Sequence, residues 1–188
     1  LSQSQIKRLK SLHQKKYRNQ EGKIILEGHR LIKQALMAKT NIKKVWVTEN
    51  YSKSTLGKEL TQMLTEKNVA IETASEKSIQ RVCDSKNSQG VIAVMTSPEY
   101  KGLGNIPRKS LYFDNIADPG NMGTLLRTAA WFGIDSVFLS NGCVDPLNSK
   151  VLRSAMGAHF YFQNLMTITP DDLFNKYSNA GYAILGSD

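Results

Sequence analysis

Apolar positions along the chain switch between two periods. Four short apolar runs, Ile24-Ile25-Leu26, Val45-Trp46-Val47, Val69 to Ile71 and Val91 to Met95, read as strands. Between them the spacing widens to three and four residues. It places Leu31, Ile32, Ala35 and Leu36 on one helix face, Leu56, Leu60, Met63 and Leu64 on a second, and Ile79, Val82 and Cys83 on a third. A further helix is expected around Ser4 to Lys16, where Ile6, Leu9 and Leu12 form a narrow apolar stripe among cations. This alternation predicts a compact α/β unit over residues 1–97. The pattern then breaks. Pro98, Gly102, Gly104 and Pro107 interrupt any period, while Lys101, Arg108 and Lys109 keep the segment polar. Residues 98–110 are therefore expected to be a linker, and residues 111–188 a second α/β part.

That second part opens with Leu111-Tyr112-Phe113, then a polar loop, an amphipathic stretch and the run Val137-Phe138-Leu139, which together predict a βαβ unit. Pro119-Gly120 turns the chain, Asn121 is placed to cap the helix, and Gly133 to end it. On a helical wheel Met122, Leu125, Leu126, Ala129 and Phe132 share one face. Arg127 lies nearer Gly123, Thr124 and Trp131, and so points away from the core. Farther on, a helix is expected near Asp171 to Tyr177 and a strand at Ala183-Ile184-Leu185.

Charge changes the picture because it is uneven. Residues 1–44 hold 12 Lys and Arg against 2 acids, whereas the rest of the chain holds 13 against 14, so the whole net charge of +9 comes from the front. Such a segment attracts polyphosphate by releasing counterions, which makes nucleic acid its natural partner. No apolar run approaches the roughly 20 residues needed to cross a bilayer, so no membrane partner is expected. The cysteines Cys83 and Cys143 and the three histidines show no metal-ligand spacing; no metal site is expected, and a reducing cytoplasm or organelle matrix fits, with the cytoplasm as the expected location. Neither a Gly-x-Gly-x-x-Gly after a strand nor a Walker-type loop is present.

The loop and helix from Asp114 carry the most specific pattern. Asp114-Asn115, Asp118-Pro119, Asn121 and Gly123, followed by Arg127-Thr128-Ala129 and Phe132-Gly133, resemble the first motif of the SpoU (TrmH-like) branch of the SPOUT RNA methyltransferases. Asn148-Ser149-Lys150-Val151-Leu152-Arg153-Ser154-Ala155-Met156-Gly157-Ala158 resembles the second. In the front half, Leu26-Glu27-Gly28-His29-Arg30-Leu31 and Ser88-Gln89-Gly90-Val91 resemble the ribosomal-protein-like substrate-binding domain that many of these enzymes carry. The resemblance implies an α/β chain with a small RNA-binding domain ahead of a methyltransferase domain. It implies transfer of a methyl group from S-adenosylmethionine to a ribose 2′-hydroxyl of RNA, with ribosomal RNA favoured by the front domain and transfer RNA as the alternative. It also implies a homodimer for the full-length protein. The third family motif does not occur before Asp188. The chain is therefore expected to hold only the first part of the SPOUT domain, without its knot, with cofactor-binding residues beyond Asp188 and no methyl transfer by these 188 residues alone. The rival from another class is a non-catalytic RNA-binding module.

Residue roles follow from chemistry and resemblance together. A ribose hydroxyl must be positioned and relieved of its proton. The resemblance gives Arg127 that task, and a clamp on the neighbouring phosphate suits a guanidinium better than deprotonation does. Asn121 joins it as a catalytic candidate, with Asn115, Asp118 and Gly123 shaping the motif loop. Candidate RNA ligands are Lys7, Arg8, Lys15, Lys16 and Arg18 in the basic segment, and Glu27, Arg30 and Lys33 where strand meets helix. Lys150 and Arg153 complete the set, spaced to lie on one side of a helical turn.

Overall fold

The computed structural model describes residues 1–102 and 109–186. In the front half, helices α1 (Gln3–Ser11) and α2 (Lys15–Glu21) lead into strand β1 (Lys23–Glu27), helix α3 (His29–Met37) and strand β2 (Ile42–Val47). Helices α4 (Glu49–Lys53) and α5 (Thr55–Glu66), strand β3 (Ala70–Thr73), helix α6 (Glu76–Val82) and strand β4 (Val91–Thr96) follow. The sheet order is β1-β4-β2-β3; β4 runs antiparallel to both neighbours, and β2 and β3 are parallel. Side chains alternate across a strand, so Ile24 and Leu26 enter the core under α3 and α5, while Ile25 enters the one under α1 and α6. Both faces are covered, which is why β1 and β4 read as continuous apolar runs.

The expected helix from Ser4 to Lys16 is two helices. The chain leaves α1 at Leu12, and His13 turns its ring to Ser149 Oγ (2.6 Å) and the Val82 carbonyl (2.7 Å). A carbonyl only accepts, so Nε2 is the donor to Val82. Helix α2 restarts at Lys15 and buries Arg18. Ile6, Leu9 and Leu12 are buried against α6, so this basic segment is also a wall of the core.

The second sheet is parallel, in the order β5 (Leu111–Phe113), β6 (Ser136–Leu139), β7 (Asn164–Thr167). Helix α7 (Pro119–Trp131) and helix α8 (Ser149–Ser154) cover one face, and helix α9 (Pro170–Asn179) packs Leu173 and Tyr177 on Phe138 from the other. Strand β7 escaped the sequence reading because its apolar run is only Leu165-Met166. The expected strand at Ala183–Leu185 does not form; those residues are exposed and lack ladder bonds. An apolar run becomes a strand only where a partner edge is free to pair, and the run itself does not specify the edge.

Helix α7 begins two residues before the expected cap. Asp118, not Asn121, closes its end by accepting the Asn121 N–H at 2.8 Å, with Pro119 in the first turn where no N–H is needed. Phe132 is 76% exposed rather than part of the buried face, because it is the residue at which helical spacing stops. The predicted linker lies partly outside the described residues, which exclude Leu103 to Arg108 and so Gly104, Pro107 and Arg108. Its described beginning is anchored: Tyr100 packs against the second core, and Lys101 bonds Gln163 through backbone N–H (2.9 Å) and side chain (3.0 Å).

A buried histidine offers a test of this packing. His159 donates from Nε2 to the Pro146 carbonyl (2.7 Å), its Nδ1 is buried without a partner, and burial lowers its pKa from 6.5 to about 4. The unfolded chain takes up this proton near pH 6.5 and the folded chain only near pH 4. Acid therefore favours unfolding across that window, by about 3 kcal/mol at its lower end. Urea unfolding between pH 7 and 4 should show this loss, and His159→Gln should remove it. An unchanged acid slope in the variant would place the titration elsewhere.

Candidate functional site

The two halves meet along a seam that accounts for several expected RNA ligands. Arg18 is 3% exposed; its guanidinium donates to the Leu12 (3.2 Å) and His13 (2.6 Å) carbonyls and pairs with Asp145. Glu27 is buried and accepts the backbone N–H groups of Asp84 (2.8 Å) and Ser85 (3.3 Å). Arg153 reaches across from α8 to Glu27 (3.3 Å) and Asp84 (3.1 Å). All three side chains are engaged by groups of the protein itself across the seam between the halves. Leu152 of α8 enters the first core beside them, and Tyr161 donates to Gln34 Oε1 (3.1 Å). The seam is thus both apolar and ionic.

Beside it opens a cleft of about 1190 Å³ whose walls come from both halves. From the front half α3 contributes Arg30 and Lys33; from the back half α7 contributes Arg127 and Trp131. Among the described residues the Arg127 side chain has no hydrogen-bond or ion-pair partner. Arg30 is exposed, and Lys33 holds Glu59 at 2.5 Å, which keeps that carboxyl below its ordinary pKa. His29 Nδ1 also bonds Tyr51 Oη (2.8 Å), and burial lowers the His29 pKa. Gln89 Oε1 accepts the His29 N–H at 3.0 Å and so fixes the start of α3.

Helix α7 is held at this wall by an exceptionally close approach. A Cβ added to Gly123 would lie 1.8 Å from Ser154 Oγ and 2.8 Å from the Ala155 nitrogen, so only glycine lets α7 meet α8 there. Gly123 of the motif is accordingly a packing residue. Asn115 adopts a left-handed conformation (φ 53°) with its N–H on Ser140 Oγ (2.9 Å), joining the loops after β5 and β6.

The structure thus brings Arg127, Arg30 and Lys33 together and leaves other candidates apart. Asn121 is exposed in the first turn of α7 and is not on the cleft wall; Lys150 is exposed on α8. Lys7, Lys15 and Lys16 are exposed on the front helices, where Arg8 pairs with Glu21 (2.7 Å). Sequence reasoning missed Trp131 and Tyr161 as cleft residues. Only the spacing of Trp131, four after Arg127, pointed to it. Among the described residues no three metal-type side chains converge, and no helix is long and apolar enough to cross a membrane.

Comparison with known proteins agrees with this geometry. Residues 3–93 match the MRM3-like substrate binding domain, and residues 108–188 match the SpoU rRNA Methylase family. An uncharacterized tRNA/rRNA methyltransferase of Synechocystis is 30% identical over 97% of this chain and 66% of its own length. The 23S rRNA (guanosine(2553)-2'-O)-methyltransferase RlmP of Bacillus subtilis is 34% identical over 83% of this chain and 59% of its own length. The chain therefore spans about two thirds or less of these relatives. The AdoMet-bound rRNA methyltransferase of Sinorhizobium meliloti shares the fold, with a TM-score of 0.77 at 24% identity over 96% of this chain and 67% of that one. With two motifs in order, a front domain joined to them through a shared core, and both family models matched, the chain belongs to the SpoU rRNA methylase family and carries its MRM3-like substrate binding domain.

Proposed function

We propose that the whole protein methylates a ribose 2′-hydroxyl of ribosomal RNA with S-adenosylmethionine, in the cytoplasm and as a homodimer. Residues 1–97 serve as the RNA-binding part, residues 98–110 as the connection and residues 111–188 as methylase domain. One observation carries the reading: Arg127, the motif arginine, stands unpaired among the described residues in an open cleft whose other wall presents Arg30 and Lys33. A strand of RNA lying there would have its phosphates met from both sides. Arg127 holds the phosphate next to the reacting ribose with two parallel N–H bonds, and so aligns the hydroxyl. A guanidinium stays protonated at neutral pH, so Arg127 positions and does not act as the base.

S-adenosylmethionine would supply the electrophilic methyl group. The cleft cations fit phosphate and not a sulfonium, so no residue of this cleft is assigned to the cofactor.

Binding of a ribosomal RNA hairpin by this chain, followed against salt, tests the reading. Each phosphate contact contributes roughly 0.7 to 0.9 to the log–log slope. Arg30→Gln and Arg127→Gln should each flatten it by about that amount, with Lys7→Gln and Lys16→Gln reporting whether the front helices add contacts. Deleting the basic segment is not a usable control, because Ile6, Leu9 and Leu12 belong to the core. A slope unmoved by the cleft substitutions would remove RNA from the cleft.

A further inference from the structure

We propose that Trp131 is a stacking platform for an unpaired base of the RNA, a reading that rests on the RNA-binding function above and names the form of RNA the cleft selects. Trp131 is 87% exposed on the last turn of α7, an unusual position for the largest apolar side chain. Helical spacing sets it on the same face as Arg127, and both line the cleft with Arg30, Lys33 and the half-exposed Tyr161. Cations alone hold phosphate in a duplex and in a single strand alike. An indole face adds a distinction, because only a base that has left its own stack can lie against it. An aromatic surface flanked by the unpaired Arg127 on its own wall and by Arg30 and Lys33 on the other is complementary to a polyanion with a free π-face. A purely apolar partner would leave Arg127 and Arg30 facing it without counter-charge. Stacking tolerates any base, so Trp131 reads unpairedness and not base identity.

The chain reports on its own site. It has two tryptophans, and Trp46 is 6% exposed with its indole N–H donated to Glu72 (3.0 Å), so changes in emission on binding come from Trp131. The chain would be titrated with an RNA hairpin carrying an unpaired loop and with a blunt duplex of equal phosphate number. The hairpin should quench Trp131 and bind more tightly than the duplex. Trp131→Ala should weaken hairpin binding about tenfold to a hundredfold, the range for one stacked base, and leave duplex binding unchanged. Trp131→Phe should keep most of the preference. If both RNAs bind equally and neither quenches, stacking is overturned while the RNA reading stands. If neither binds, both fail. If emission instead depends on protein concentration without RNA, and Trp131→Ala abolishes a dimer seen by sedimentation, the patch is an interface between copies and the proposal is overturned.

Discussion

Arg127→Ala in the whole protein should lower methyl transfer to a ribosomal RNA fragment by about a hundredfold or more, the cost of losing alignment at a reacting centre. Arg127→Lys should recover little, because one ammonium cannot reproduce a planar pair of donors. The fold should be unaffected, since Arg127 is exposed and has no partner among the described residues that would be left behind. The thermal midpoint and the turnover therefore separate the two roles. A variant that melts early, or that turns over near the normal rate, would make Arg127 an ordinary surface residue of α7.

Arg18→Ala should do the reverse, destabilising the chain by about 3 kcal/mol while leaving the salt slope of RNA binding where it was. The substitution leaves the Asp145 carboxylate and two carbonyls without their donor, inside the seam between the halves. The lower end of the range for broken buried pairs applies, because the Asp145 side chain is partly open to water and screened there. Urea midpoints would be compared with Arg8→Ala, whose pair with Glu21 lies on the surface and should matter little. Equal midpoints for the two variants would show that the seam does not depend on Arg18.

Much of the architecture was legible because it is local. The runs at Ile24, Val45, Val91 and Val137 and the spacings through Leu31, Leu60 and Leu126 all became the strands and helices they predicted. One error was local, at a helix cap three residues from the expected one, and the others fell where the deciding partner is distant. Asp118 displaced Asn121 as the cap, the chain left its helix at Leu12 where the next residue, His13, reaches Ser149, and Ala183–Leu185 found no strand to pair with among the described residues.

By itself the sequence determined the alternation of elements, the basic front, and the two ordered motifs that identify the family. Period and spacing express the geometry of a single strand or helix, and that needs no neighbour. Only the tertiary structure decided what each cation does. Arg18, Arg153 and Arg127 are the same residue type in chain segments of similar polarity, yet the first two meet carboxylates across the seam and the third meets open cleft. Charge is a property of the residue, whereas its availability depends on which groups folding places within a few ångströms, and the carboxylates that meet Arg18 and Arg153 lie 69 to 127 positions away along the chain.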